Sequence, residues 1–237
     1  MTTATMLSLT ERVDGLGWDD LNARLDAQGF AVTEPVLGEG ERAALADLFD
    51  GGRFRSTIDM ARHRFGDGRY RYFDHPLPAE IAELRGAFYR HLAPAANRWS
   101  ELLGADDTFP LDHEELLEGC RAAGQHRPTP LILRYHSGDW NALHQDLYGD
   151  VYFPFQVLTV LDEDFEGGQF VLLEQRPRAQ SRAHVLEPPP GAFVIFPTRV
   201  RPNAGKRGYH RVGMRHGVST VTAGERTALG IIFHDAR

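Results

Sequence analysis

Near the C-terminus the chain contains the sequence His216-Gly217-Val218-Ser219-Thr220-Val221-Thr222-Ala223-Gly224-Glu225-Arg226. The prediction of the fold starts from this stretch. It sets an imidazole and a guanidinium ten residues apart, with a run rich in β-branched residues between them. Such runs bounded by small turn residues are typical of strands in an antiparallel sheet. The pattern predicts a strand at residues 217–221, a turn at 222–224 and a returning strand at 227–234.

Arg226 lies where the returning strand begins. Side chains alternate along a strand, so Arg226 shares a face with the small residues Ala228 and Gly230. These residues leave space in front of the guanidinium. A buried guanidinium needs a carboxylate or phosphate partner, and it binds a carboxylate in a bidentate manner. The sequence therefore predicts that Arg226 binds an anionic ligand.

A second motif, at residues 144–146, brings two metal-binding side chains together. His144 and Asp146 are separated by one residue, so on an extended segment they point to the same side. With His216 they make two imidazoles and one carboxylate, the facial triad that leaves three positions open on an octahedral iron. His210 and His234 compete for the third ligand position, but the ten-residue relation to Arg226 favours His216.

Hydrophobic periodicity divides the chain into a helical half and a strand-rich half. Helices are predicted at residues 18–28, 39–50, 78–103 and 111–123, where apolar residues recur at three- and four-residue steps. Strands are predicted at 131–136, 152–161, 169–173, 192–196, 217–221 and 227–234. This order indicates an α+β fold: a double-stranded β-helix, or jelly roll, with N-terminal helices packed outside.

Five motifs in this order resemble those of the 2-oxoglutarate/Fe(II) dioxygenase superfamily, particularly its prolyl-hydroxylase-like branch. They are Tyr135-x-x-Gly138, His144-x-Asp146, Glu166-Gly167-Gly168, Gly191-Ala192-Phe193-Val194-Ile195-Phe196-Pro197 and the stretch 216–226. The whole chain also resembles a bacterial group predicted to act oxidatively on damaged nucleic acid. Residues 59–66 and 174–181 carry that closer resemblance.

The resemblance implies a cofactor, two cosubstrates and a set of site residues. Fe(II) would be held by His144, Asp146 and His216, while 2-oxoglutarate would be bound by Arg226 and Tyr135 and consumed with O₂. Oxidative decarboxylation of 2-oxoglutarate would be coupled to C–H hydroxylation or oxidative demethylation of a substrate. No catalytic side chain beyond the metal ligands is expected. Tyr135 has a second interpretation, as a core tyrosine with a satisfied hydroxyl.

The resemblance also implies one dioxygenase domain over residues 1–237. Residues 1–125 would form a mainly helical support and residues 126–237 the jelly-roll catalytic core. We expect no separate core for the helices, because they are predicted to lean on the barrel.

The substrate is the least constrained part of the prediction. Candidate substrate contacts are Arg62, Arg64, Tyr70 and Tyr72, whose cations and rings could hold phosphates and stack a base, together with Gln156. Alternatively, residues 62–73 form a surface loop packed on the barrel, and Gln156 satisfies a neighbouring backbone group. Two kinds of reaction are therefore expected as alternatives. One is repair of alkylated nucleic acid or of a nucleobase, and the other is hydroxylation of a small molecule in metabolism or natural-product biosynthesis. A non-catalytic metal-binding jelly-roll sensor is the alternative outside enzymes.

The composition bears on the cellular compartment in which the protein is expected. A single cysteine, Cys120, excludes an intrachain disulfide, and no apolar run is long enough to span a bilayer. With an N-terminus that lacks a secretory signal, these features favour a cytoplasmic protein without a membrane partner. They say nothing about the oligomeric state.

The net charge of −7 argues against a generic nucleic-acid coat, but the cations are clustered. Residues 176–215 contain nine Lys or Arg and one acid, and residues 53–71 contain six Arg and two acids. These two runs form either an anion-binding surface or solvated loops paired with acids elsewhere.

Overall fold

The structure of the protein, a computed structural model, describes residues 7–176 and 178–237. Within these ranges the helices are α1 (Leu9–Asp14), α2 (Trp18–Gln28), α3 (Glu39–Gly51), α4 (Met60–His63), α5 (Ala79–Leu102) and α6 (His113–Ala122). The four predicted helices are therefore confirmed as α2, α3, α5 and α6. Among the described helices, none has the length and apolar character needed to cross a membrane.

The strands form two antiparallel sheets. In chain order they are β1 (Ala31–Val32), β2 (Phe54–Asp59), β3 (Gly66–Asp67), β4 (Arg69–Phe73), β5 (Leu131–His136), β6 (Trp140–His144), β7 (Phe155–Val160), β8 (Phe165–Gly167), β9 (Phe170–Gln175), β10 (Arg182–Leu186), β11 (Phe193–Pro197), β12 (Val200–Gly205), β13 (Gly208–Val218) and β14 (Val221–Ile232). The major sheet has the order β1-β11-β7-β14-β5-β4-β2, with β8 paired to β14. The minor sheet has the order β10-β9-β13-β6-β3, with β12 paired to β13.

The two sheets face each other across an apolar core. Alternation along β14 turns Ala228 and Ile232 inward, and Leu229 and Ile231 outward. Facing residues of both sheets complete the inner core: Leu131, Leu133, Tyr135, Leu158, Phe170, Leu172, Val194, Phe196, Val212 and Met214. Two antiparallel sheets closed on such a core make a double-stranded β-helix, so the predicted α+β jelly roll is confirmed.

The helices cover the outer face of the major sheet. The apolar stripe of α5, including Ile81, Leu84, Phe88 and Trp99, belongs to the same buried cluster as outward-facing residues of β7, β11 and β14. The helices therefore bury their apolar faces on the sheet and share its core. On this basis we propose that residues 1–237 form one domain.

Three predicted features of the chain differ in the structure. The helical half contains β2, β3 and β4, and β4 extends the major sheet by pairing with β5. The predicted strand 217–221 was wrong: β13 ends at Val218 and β14 begins at Val221. The predicted turn at 222–224 was also wrong, because Gly224, at φ 78°, bends β14 against Asp164 of the β8 region without ending it.

Two buried histidines make the stability of the fold sensitive to acid. Burial lowers the pKa of His113 to about 3 and that of His234 to about 4. His113 Nε2 donates to the Phe233 carbonyl, and His234 Nδ1 accepts from the Phe153 amide. Between pH about 6.5 and 4 the unfolded chain binds protons that the folded chain does not. Stability is therefore fully present above the unfolded pKa and is lost as the pH falls.

We expect the free energy of unfolding to decrease by about 1.4 kcal/mol per pH unit for each histidine in this window. Urea titrations between pH 4 and 7 measure the slope, and His113→Gln should make it shallower by one histidine's share. An unchanged slope in that variant would contradict the assignment.

Candidate metal centre and cosubstrate pocket

The three predicted metal ligands meet at one point between the sheets. His144 and His216 are direct cross-strand partners on β6 and β13, and Asp146 follows β6 by two residues. His216 Nε2 lies 3.1 Å from one carboxylate oxygen of Asp146, and His144 Nε2 lies 3.5 Å from the other. One donor atom from each residue lies within 4.8 Å of the others.

Neighbouring groups fix the orientation of this triad. The Nδ1 atom of His144 lies 2.8 Å from the Ala142 carbonyl, which directs Nε2 towards the other ligands. Tyr148 donates a hydrogen bond of 2.7 Å to Asp146, and Tyr72 donates one of 3.1 Å to Tyr148. Sequence reasoning missed Tyr148, although it lies only two residues beyond Asp146 and would share its face on an extended segment.

The electrostatics of the triad favour an ionised carboxylate. Burial opposes ionisation of Asp146, but His216 and His144 outweigh it and hold the pKa of Asp146 well below its ordinary value. Burial and the neighbouring His144 lower the pKa of His216. The ionised Asp146 and the lowered pKa of His216 match the protonation states that a metal requires of its ligands, whereas burial at His144 is outweighed by Asp146, which raises the pKa of that imidazole.

Arg226 lies in the same barrel and forms no ion pair with the residues that the structure describes. Its side chain is almost wholly buried, and its Nε and Nη1 atoms lack a hydrogen-bond partner among the described residues. Burial lowers the pKa of the guanidinium. Gly168 makes room for it, because a Cβ there would lie 2.8 Å from Arg226 Cδ. Two unsatisfied donors of a buried cation indicate a site for an anionic ligand.

Tyr135 lies beside Arg226 as its cross-strand partner on β5. The guanidinium carbon lies 5.6 Å from the centre of its ring, and its hydroxyl accepts a hydrogen bond of 3.3 Å from Asn141. The phenol is fully buried, and burial raises its pKa to about 12. It is therefore a neutral hydroxyl next to the cation. Asn141 was also missed from the sequence, since only the fold brings it to Tyr135.

One cavity of about 260 Å³ joins the triad, Arg226 and three of the five predicted substrate contacts. Of those contacts, Gln156, Tyr70 and Tyr72 line it, and Gln156 Nε2 is buried without a hydrogen-bond partner in the part of the chain that the structure describes. Tyr70 and Tyr72 face inward because Arg69 and Arg71 alternate with them on β4. The Arg-Tyr alternation is a strand signal in the sequence, and the alternative prediction of a surface loop over residues 62–73 was wrong for residues 69–73, which form β4.

Arg62 and Arg64 are exposed and do not line this cavity. They precede Phe65, which does line it, so they stand outside its rim. Other arginines of the 53–71 run have local partners: Arg55 donates to the Pro128 carbonyl, and Arg53 pairs with Asp74. Much of this run is therefore engaged by the protein itself.

The donor set and the cavity fit an iron and a dicarboxylate. Two imidazoles and a carboxylate on one side of a metal are the ligands of non-haem Fe(II) oxygenases. The unpartnered guanidinium fits the far carboxylate of an acid whose other end chelates the metal. Fold and site together define the class as a 2-oxoglutarate/Fe(II) dioxygenase, an oxidoreductase that uses Fe(II), 2-oxoglutarate and O₂.

The chain belongs to the Oxygenase-NA family. The family model matches residues 68–236 and is described as an oxygenase catalysing oxidative methylation of damaged DNA. The predicted superfamily is thereby confirmed, and the non-catalytic sensor is excluded. A Mycobacterium tuberculosis protein named only as uncharacterized is 47% identical over 167 residues, which cover 69% of this chain and 72% of that protein.

Solved structures bear out the fold. A prolyl-4-hydroxylase from Pseudomonas putida is 18% identical with a TM-score of 0.56, covering 93% of this chain and 99% of that one. A 2OG-Fe(II) oxygenase family oxidoreductase from Burkholderia pseudomallei is 19% identical with a TM-score of 0.52, covering 93% of each chain. At this identity the likeness concerns the fold and not the substrate.

Proposed function

We propose that this oxygenase hydroxylates an alkyl group on a nucleobase of damaged DNA, with the release of the alkyl carbon as an aldehyde. The observation that carries the proposal is the cavity itself. Its described lining has no charged side chain apart from the triad and Arg226, and it presents aromatic rings and one unpartnered amide. The family description, which names damaged DNA, supports the same substrate class.

In this proposal His144, Asp146 and His216 hold Fe(II), and Arg226 with Tyr135 holds 2-oxoglutarate. Iron with 2-oxoglutarate and O₂ supplies the oxidising chemistry, giving succinate and CO₂ as one oxygen atom enters succinate and the other enters the substrate. Arg226 pairs with the distal carboxylate and thereby fixes the angle of the cosubstrate. Tyr148 holds the Asp146 carboxylate in place. The apolar lining keeps bulk water from the reacting atoms.

The substrate end of the cavity lies away from Arg226. On the major sheet Arg226 is near the start of β14, while Gln156 pairs with Ile232 at its end. Six residues of extended chain separate Arg226 from Ile232, or roughly 20 Å. Gln156 therefore lies towards the opposite end of β14 from Arg226, which anchors 2-oxoglutarate in this proposal. Its amide hydrogens are available to a carbonyl or ring nitrogen of the substrate.

The lining distinguishes substrate classes by charge. A free amino acid brings an ammonium and a carboxylate, and burying either without a partner costs several kcal/mol. A neutral, planar base needs only stacking surfaces and hydrogen bonds, which Tyr70, Tyr72 and Gln156 supply. The phosphates of a nucleic acid would remain outside, near the exposed Arg62 and Arg64.

The test is succinate and formaldehyde formation by anaerobically purified, Fe(II)-loaded protein. N-methylated duplex and single-stranded oligonucleotides, methylated nucleosides and free amino acids are supplied separately with 2-oxoglutarate and O₂. Hydroxylation of an N-methyl group gives an N-hydroxymethyl group, which breaks down to formaldehyde and the free base. Equal amounts of succinate and formaldehyde with a methylated base support the proposal. Acceleration by amino acids alone contradicts it.

Gln156→Met tests the substrate end separately. The loss of one hydrogen bond to a neutral acceptor in a buried site is worth about 1–3 kcal/mol, so we expect kcat/KM for the methylated base to fall roughly 5- to 150-fold. Substrate-free decarboxylation of 2-oxoglutarate should keep its KM, because the cosubstrate is anchored at the other end. A rise in the KM for 2-oxoglutarate instead would place Gln156 at the cosubstrate.

A further inference from the structure

Strands β12 and β13 form a two-stranded ribbon that extends past the minor sheet. They pair from Val200↔Gly213 to Gly205↔Gly208, whereas β9 pairs with β13 only from Gly213 onward. The last buried pair is Arg201↔Val212, and residues 204–211 are all exposed. Four further residues of extended chain place the tip about 13 Å beyond that pair.

The ribbon carries cations and no acid. Residues 199–215 contain six Lys or Arg and no Asp or Glu, in a chain whose net charge is −7. Arg201 is buried and paired with Glu174, which also pairs with Arg176. The other five are exposed, and none forms an ion pair with the described residues: Arg199, Lys206, Arg207, Arg211 and Arg215. One acid, Asp107, lines a cleft together with Arg199 and Arg211.

The base of the ribbon is hydrogen-bonded to the segment that carries two of the metal ligands. Gln145, between the ligands His144 and Asp146, donates to the Arg199 and Met214 carbonyls at 2.8 and 2.9 Å. Strands β6 and β12 lie end to end along the same edge of β13, so the ribbon continues from the end of the sheet that carries the triad. Gln145 also lines the cavity. A molecule seated on the ribbon therefore lies beside the cavity and reaches the site from its metal end.

We propose that this ribbon binds duplex DNA next to the base that enters the cavity; the inference rests on the proposed function. Two-stranded β-ribbons fit the major groove, which is about 12 Å wide and 8.5 Å deep, and a 13 Å projection is long enough to enter it between the two phosphate walls. Lys206 and Arg207 at the tip and Arg211 behind them neutralise phosphates on the groove walls. Exposed Tyr209 supplies an aromatic ring at the same tip.

The experiment measures binding of a labelled duplex oligonucleotide at several salt concentrations. The ribbon variant is Lys206→Ala/Arg207→Ala/Arg211→Ala. The matched control, Arg24→Ala/Arg90→Ala/Arg121→Ala, removes the same charge from the exposed faces of α2, α5 and α6. Loss of three phosphate contacts should weaken binding on the order of 100-fold near 0.1 M salt and make the slope of log K against log salt shallower by about 2.7. The control should bind as wild type does.

Two outcomes would overturn the inference: a ribbon variant with wild-type affinity and salt slope, or equal competition by poly-glutamate of matched charge, which points to an acidic protein. Base turnover reports separately on the proposed function. Ribbon-dependent DNA binding without turnover of any methylated base leaves the ribbon inference standing and removes the proposed substrate. If methylated duplex is turned over but its binding does not depend on the ribbon, the proposed substrate stands and the ribbon inference falls.

Discussion

Asp146→Ala should lower iron-dependent turnover of 2-oxoglutarate on the order of 1000-fold. Asp146 is the carboxylate of the facial triad, and its two oxygens face His216 and His144. Without it two imidazoles remain, which hold Fe(II) weakly and leave no anion to balance its charge. Succinate formation and the iron retained per chain after gel filtration measure the effect, and the second readout does not depend on activity.

Asp150→Ala is the matched control for this variant. Asp150 lies four residues further along the same loop, and its side chain is exposed and paired with Arg237. We expect iron content and turnover to match those of the wild type. Full iron retention in Asp146→Ala would sink the assignment of the metal ligands, and loss of iron in both variants would indicate a general effect on the loop.

Arg226→Leu is expected to weaken 2-oxoglutarate binding strongly and at the same time to stabilise the ligand-free protein. A bidentate pair between a guanidinium and a carboxylate contains two charged hydrogen bonds, each worth about 1.5–3 kcal/mol, so Kd should rise by at least about 100-fold. Without 2-oxoglutarate two nitrogens of the buried cation lack hydrogen-bond partners among residues 7–176 and 178–237. Its replacement by an apolar side chain should raise the free energy of unfolding by about 1–3 kcal/mol.

Calorimetric titration of 2-oxoglutarate and urea unfolding without it separate the two effects. Arg226→Lys, which keeps the charge but not the fork, should recover binding in part. A structural role for Arg226 makes the opposite prediction for stability: Arg226→Leu would then unfold at lower urea. Weaker 2-oxoglutarate binding together with a higher free energy of unfolding is the result expected only if Arg226 serves ligand binding at the expense of stability.

The residues that carry the chemistry could be predicted because their signals are local. His144 and Asp146 are two residues apart, and alternation alone places them on one side of a strand. His216 and Arg226 were related by a ten-residue spacing, although the strand break between them lies at Ser219 and Thr220 and not at the predicted turn. Arg226 lies on the inner face of the returning strand whether the break is at residues 219–220 or at the predicted turn, residues 222–224.

Other parts of the site depend on contacts between distant segments, which a single sequence does not contain. Tyr72 reaches Tyr148 across 76 residues of chain, and this contact exists only because β4 joins the major sheet. The ribbon was visible as a run of cations, but its projection depends on the point where β9 stops pairing with β13. The sequence therefore showed that the cations are clustered along the chain, and only the sheet topology showed that they share one projecting surface.

The pairing of His144 with His216 also has a consequence for folding. The two ligands belong to neighbouring strands, so a metal bound to both closes a chain segment of about 70 residues and ties two strand edges together. A slip of one residue between β6 and β13 would turn one imidazole away from the other. Iron retention thus reports whether the barrel has been assembled correctly, and metal added during refolding selects chains with native strand alignment.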